Sequence, residues 1–212
     1  MGNKPVIQVQ VRELVEFALR KGDLGGARDF VGPQRALAGI RGHQKIQRSR
    51  PEGYEKEVPV TRDIERPGFI LRVQGRIDGL VASSDPVLIE EIKTVQNGWD
   101  GQADPLHWAQ ARIYGFIYGH DHGLQRVKLQ LTYLDLDTER ATELFEEPGF
   151  EELRRFFEQA AGIYLQWVEE WQQWRATRDA SIRAVPFPFG TYRAGQRELA
   201  VAAYRALVRG DR

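Results

Sequence analysis

Residues 88–119, LIEEIKTVQNGWDGQADPLHWAQARIYGFIYG, decide how this chain is read. The first eight have the apolar content of a sheet strand, yet they carry Glu90, Glu91 and Lys93. Strand side chains alternate between faces. Glu91 and Lys93 therefore share one face, and Glu90 lies on the other with Ile92. Asp104 and Pro105 then read as the N-cap and first-turn residues of a helix. On that helix Gln110 and Tyr114, four residues apart, share a face. Charge inside a sheet is costly unless something completes it.

Upstream, residues 51–95 alternate and are broken by RPG and SSDP, a pattern of three strands joined by hairpins. Asp78 closes the middle strand in GRIDGLV, and the SSDP hairpin brings it beside Glu91. Two adjacent carboxylates repel unless a cation lies between them. A hard divalent cation such as Mg²⁺ or Mn²⁺ takes such oxygen ligands, and the Ile92 carbonyl offers a third. Lys93, on the Glu91 face, is suited to hold an attacking water or to offset charge building on a phosphate. By the same alternation, truncation of Glu90 is expected to be milder than truncation of Glu91. The plain alternative for these residues is a solvated ion pair, and E-x-K alone is not a distinctive motif.

The flanks complete an α/β pattern. IQVQV alternates, and an amphipathic helix comes next with Val11, Leu14, Val15, Phe17 and Ala18 on its apolar face, stopped by GDLGG. Residues 22–36 read as loop. Residues 35–50 read as a helix whose Arg41, Lys45 and Arg48 form a basic stripe, suited to phosphates or simply solvated. RVKLQLTYLDLDT is a further strand. Residues 146–182 form one long helix, whose Tyr164, Trp167, Trp171 and Trp174 mark a packing seam. A proline-broken linker and a last helix complete the chain. The expected domains are a core over 1–148, a long helix packing on it over 149–185, and a linker with a further segment over 186–212. The fold class is α/β, a mixed central sheet flanked by helices with a long C-terminal helical arm.

Composition narrows the function. Of 212 residues, 42% are hydrophobic and 28% charged, as in soluble globular proteins. No apolar run approaches the roughly 20 residues that span a bilayer, so no membrane partner is expected. The start, MGNKPVIQVQV, lacks a signal-peptide core, which reads as cytoplasmic. The absence of cysteine excludes disulfides, thiolate zinc sites and cysteine-held iron–sulfur clusters in this chain. Formal net charge is zero, so binding to a polyanion depends on local clustering.

Together, GRIDGL, VLIEEIKT and LHWAQARIYGFIYG resemble the RecB-like exonuclease branch of the PD-(D/E)xK nuclease superfamily. That branch combines G-x-x-D, E-x-K and Q-x-x-x-Y in this order. The matching positions are Gly75 to Asp78, Glu91 to Lys93, and Gln110 to Tyr114. An upstream G-x-x-x-H is matched by Gly39 and His43 in GIRGH. The resemblance covers roughly residues 35–135 and departs where Ile77 replaces the proline before the aspartate. It implies a restriction-endonuclease-like core, with His43, Asp78, Glu91 and the Ile92 carbonyl as metal ligands and Lys93 as the catalytic lysine. Gln110 would bond a phosphate or orient Lys93. Tyr114 would contact the strand near the scissile bond, or simply be core. The implied function is Mg²⁺- or Mn²⁺-dependent hydrolysis of DNA phosphodiester bonds, on single strands or duplex ends, with water as nucleophile. Rival readings are a catalytically inactive nuclease-fold DNA-binding module and an RNA or nucleotide hydrolase.

The tail, FPFGTYRAGQRELAVAAYRALVRGD, resembles the segment ahead of the Walker A loop in helicases of the DinG and XPD type, through Tyr192, Arg193 and Gln196. That resemblance implies the N-terminal nuclease domain of a helicase–nuclease, with a C-terminal helicase domain as partner. Its plain alternative is an amphipathic helix. No G-x-x-x-x-G-K-[ST] comes after it, so this chain is expected neither to bind nor to hydrolyse ATP.

Overall fold

β3, Ile70–Val81, organises the sheet. In a computed structural model describing residues 4–19, 33–96, 99–186 and 190–209, β3 pairs with three other strands. β2, Glu55–Glu65, runs antiparallel along its whole length, from Glu55↔Leu80 to Glu65↔Ile70. The other edge is shared. β1, Val6–Gln10, lies parallel to its first half, from Val6↔Ile70 to Gln10↔Gln74. β4, Leu88–Val95, lies antiparallel to its end, from Gly79↔Glu90 to Val81↔Leu88. Residues 75–78 on that edge thus have no strand partner among the described residues. β4 continues into a parallel ladder with β5, Lys128–Asp135, which pairs antiparallel with β6, Ala141–Glu146. The expected mixed sheet is there. β6 is an addition: its ATELFE has mostly exposed positions and so lacks an apolar alternation.

Helices cover both faces. α1, Val11–Leu19, buries Val11, Leu14 and Val15. α3, Pro105–His122, starts as expected: the Asp104 carboxylate accepts from Leu106 N–H at 2.8 Å, and Pro105 needs no partner for a missing N–H. Gly123 in the left-handed region closes it. α1, α3 and the first part of α4, Phe150–Ala184, meet the sheet in the main core around Leu14, Leu71, Ile77, Ile89, Ile113, Leu129 and Leu153. α4 places Leu153, Phe157, Ala160, Ala161, Leu165 and Val168 on its buried stripe, and Phe116 stacks on Phe157 at 4.5 Å. α2, Pro33–Ser49, has its own small cluster, where Ile46 packs with Ile92 and Leu134. The helix begins at Pro33, two residues before the expected start at residue 35, with proline at its first position. The GDLGG stop and most of the expected glycine–arginine loop lie outside the described residues, as does the centre of the proline-rich linker.

The chain divides into two compact units, ending at Val168 and beginning at Glu169. In the first, Tyr164 and Trp167 pack against Phe17, part of the expected seam. In the second, Trp171 and Trp174 are 39% and 57% exposed, with Arg175 and Arg178 over their rings. α5, Gln196–Arg209, buries no residue, and the Gln196 side chain caps its own helix by accepting from Arg193 N–H at 3.1 Å. No described helix is long and apolar enough to cross a membrane.

Candidate active site

The site forms where the β3–β4 ladder stops. One step beyond Gly79↔Glu90, the side chain of Asp78 replaces strand pairing: its Oδ2 accepts from Ile92 N–H at 2.7 Å. This contact ties the two carboxylate-bearing strands together at the residues that matter. Glu91 lies on the far side of Ile92 N, almost wholly buried, and its Oε1 accepts from Lys93 Nζ at 2.5 Å. Lys93 Nζ also donates to Gln110 Oε1 at 2.9 Å. An ammonium held by a carboxylate and an amide has little rotational freedom left. Gln110 is thus in direct contact with Lys93, the contact that one of its two expected roles requires.

α2 closes the site from the other face. Its Gly42 leaves no room for a side chain, since a β-carbon there would come within 2.6 Å of Thr94 Cγ2. So seated, the helix puts His43 Nδ1 at 3.7 Å from Asp78 Oδ1, an ion-pair rather than a hydrogen-bond distance. One turn on, Gln47 Nε2 donates to the Asp78 carbonyl at 2.9 Å and to Glu57 Oε1 at 3.3 Å. Sequence reasoning missed Gln47, although its i+4 spacing from His43 places it on the same helix face.

Tyr114 is buried, and its hydroxyl bonds the Arg76 backbone. A β-carbon on Gly75 would stand 2.8 Å from that hydroxyl. The glycine of G-x-x-D is therefore the space that the tyrosine of Q-x-x-x-Y fills. Both expectations for Tyr114 bear on this position: it is core, and it also borders the groove beside Asp78. His107 and Tyr133 complete the surroundings of Lys93. Tyr133 pairs with Lys93 across the parallel ladder, and its hydroxyl accepts from Asp104 N–H at 3.0 Å and meets His107 Nδ1 at 2.9 Å.

The electrostatics point to missing positive charge. Burial, reinforced by the Asp78 carboxylate, pushes Glu91 up to about 7 despite Lys93 and His43. Burial pulls His43 down, but its interaction with Asp78 more than offsets this and raises it. Burial and then the Lys93 charge bring His107 down to about 4, leaving it neutral at pH 7. Among the described residues, no three Asp, Glu or His side chains are gathered tightly enough to hold an ion as they stand. Their chemistry nevertheless fits a divalent cation. His43, Asp78 and Glu91 feel one another's charge, Glu91 Oε2 has no hydrogen-bond partner among the described residues, and a cation would relieve the repulsion that raises Glu91.

Glu90 does something else. It is fully buried on the opposite face and accepts from four side chains: Arg50 Nε at 3.1 Å and Nη2, Tyr54 Oη at 2.6 Å, Gln130 Nε2 at 3.0 Å, and Thr132 Oγ1. Arg50 also reaches Glu143 at 2.5 Å. The alternation of faces is as expected. Removing the carboxylate would strand a guanidinium and a phenol, so truncation here bears on stability, apart from its expected milder effect on cleavage.

Comparisons with known proteins bear on the fold and the family. The chain's fold is shared by an alkaline exonuclease, LHK-Exo, from Laribacter hongkongensis, at 15% identity and a TM-score of 0.50, over 82% of this chain and 94% of that one. The crystal structure of SSO0001 matches at 20% identity and a TM-score of 0.49, over 74% and 76%. No curated protein matches the sequence. The profile of the PD-(D/E)XK nuclease superfamily matches residues 13–194, which include His43, Asp78, Glu91, Lys93, Gln110 and Tyr114. With that profile spanning most of its length, the chain belongs to the PD-(D/E)XK nuclease superfamily.

Proposed function

We propose that the chain is a divalent-metal-dependent deoxyribonuclease that hydrolyses phosphodiester bonds in single-stranded DNA or at duplex ends. The observation that carries this reading is Lys93 Nζ, fixed between Glu91 Oε1 and Gln110 Oε1 beside Asp78. Asp78, Glu91, His43 and the Ile92 carbonyl are the metal ligands in this reading. Mg²⁺ or Mn²⁺ bound there would supply Lewis acidity to the phosphodiester. Lys93, presented by the two acceptors, donates to the attacking water or to a non-bridging phosphate oxygen, where negative charge grows in the transition state. Gln110 keeps it aimed. Asp78 and Gln47 keep β3, β4 and α2 in register around the reacting phosphate. The exonuclease activity named for LHK-Exo is in keeping with an end-directed enzyme. The RecB-like motif order further supports the exonuclease branch.

Labelled single- and double-stranded DNA and RNA, incubated with Mg²⁺, Mn²⁺ or chelator, test the reading. Chelator-sensitive cleavage of DNA is expected. Cleavage that persists in chelator, or none with either metal, sinks it.

The tail motif at Tyr192, Arg193 and Gln196 motivates a larger context, in which this nuclease precedes a helicase motor that feeds strand to it. Exposed Leu199, Tyr204, Leu207 and Val208 on α5 are in keeping with a further domain docking there. The gene's reading frame decides: a natural stop codon after Arg212 removes that context and leaves the nuclease.

A further inference from the structure

The unpaired stretch of β3 opens a groove of about 550 Å³ that reaches from Asp78 to the end of β1. β1 stops at Gln10 and turns directly into α1, so Arg12 sits in the first helical turn at the groove's margin. The β2–β3 register orders the floor. Glu57 and Asp78 lie at one end, Pro59↔Arg76 comes next, and Thr61↔Gln74 lies beyond. Charge therefore changes along the groove from acidic, at the proposed metal ligands, through cationic, to neutral hydrogen-bonding.

Two arginines stand in the cationic stretch. Arg76 is exposed, and its guanidinium has no hydrogen-bond or ion-pair partner among the described residues. Among the described residues Arg12 bonds only Glu16, at 2.9 Å on its own helix, in an i,i+4 pair whose arginine side is 76% exposed and glutamate side 31%. Such a pair contributes roughly 0.3–0.5 kcal/mol and yields readily to a phosphate.

We propose that Arg76 and Arg12 form a phosphate subsite that grips the phosphodiester adjacent to the one being cut. This rests on the nuclease reading above and extends it to a path for the strand. The four-residue gap spans about 13 Å of β3, which seats one backbone rather than the two of a duplex. The strand lies along the gap, its reacting phosphate at Asp78 and its neighbour at Arg76. Thr61 and Gln74 offer uncharged donors to the nucleotides beyond.

The test uses the full chain and a fluorescently labelled single-stranded oligonucleotide, with Arg76→Gln, Arg76→Lys and Arg12→Gln. Binding is titrated in Ca²⁺ at several salt concentrations, and steady-state cleavage is measured in Mg²⁺. Each lost phosphate contact is expected to reduce the slope of log K against log[salt] by about 0.7. KM should rise by a larger factor than kcat falls, and Arg76→Lys should restore much of the loss. Unchanged slope and KM in both glutamine variants overturn the subsite, as does a loss confined to kcat. Both side chains are exposed, and melting curves identify a variant that misfolds; the other arginine then carries the test. A parent chain that binds through these arginines but never cleaves sinks the nuclease reading alone. A parent that cleaves with binding indifferent to both sinks the subsite alone. A parent that neither cleaves nor binds sinks both.

Discussion

Glu90 and Glu91 are adjacent glutamates on one strand, both buried, and they solve burial in opposite ways. Glu90 is surrounded by donors: a guanidinium, a phenol, an amide and a hydroxyl. Glu91 has one, the ammonium of Lys93, and faces a second carboxylate. The first is a carboxylate whose bonds the fold has completed. The second is left short of positive charge, the condition under which a cation is welcome. Identity and burial are the same on both faces, so the difference lies wholly in what each face was given as partners.

That contrast can be broken by mutation. The largest effect belongs to Glu91→Ala and Asp78→Ala, which should abolish cleavage while the chain still melts cooperatively. Lys93→Ala should cost about 10²-fold in kcat with metal affinity, measured calorimetrically, nearly intact. Cleavage by Glu91→Ala at the parental rate in Mn²⁺ would mean that the two faces are not functionally distinct. Next comes Glu90→Ala, which leaves Arg50 without its main partner and should cost about 3 kcal/mol of stability, read by urea denaturation. A loss under about 1 kcal/mol, the range of an exposed ion pair, would reduce the network to decoration.

A smaller effect sharpens the structural side. A β-carbon on Gly79 would fall 1.6 Å from Tyr54 Oη, the atom that donates to Glu90. Gly79→Ala must therefore push Tyr54 off Glu90, at about 2 kcal/mol, and combining it with Tyr54→Phe should cost less than the sum of the two. Strict additivity would show that Tyr54 is not held there.

The smallest effect concerns pH. Glu91 titrates near 7 when folded, against an ordinary value of 4.5. The folded state thus binds the extra proton between those values, and stability should fall as pH rises through that window. Glu91→Gln removes this dependence and should be more stable than the parent above pH 7 by on the order of 1 kcal/mol, while failing to cleave. Metal binding needs the carboxylate, so affinity in the parent should rise with pH over the same range. A parent whose stability is flat across that window contradicts the charge deficit at Glu91.

The legibility of the sequence divides along the same line. His43, Asp78, Glu91, Lys93, Gln110 and Tyr114 could be placed because each belongs to a short motif with fixed spacing, and alternation alone put Glu90 and Glu91 on opposite faces. α3 was legible at its start, since Asp104 and Pro105 act locally, whereas its C-cap at Gly123 was not singled out. The Glu90 network was not. Its partners Arg50, Gln130 and Thr132 stand about forty residues away in either direction, and nothing in a polar stretch such as KIQRSR distinguishes an arginine bound for the core from a solvated one. β6 escaped because an exposed edge strand has little need of apolar residues. The groove escaped for a topological reason: it exists only because β1 and β4 divide one edge of β3.

That shared edge also sets when the candidate site can be assembled. β1 finds its partner more than sixty residues downstream, and β4 its parallel neighbour β5 across a whole helix. Long closures of this kind form late, since their entropy must be met before their contacts reward it. During synthesis Asp78, Glu91 and Lys93 emerge before Gln110 and β5, so a half-made chain carries the charges without the frame.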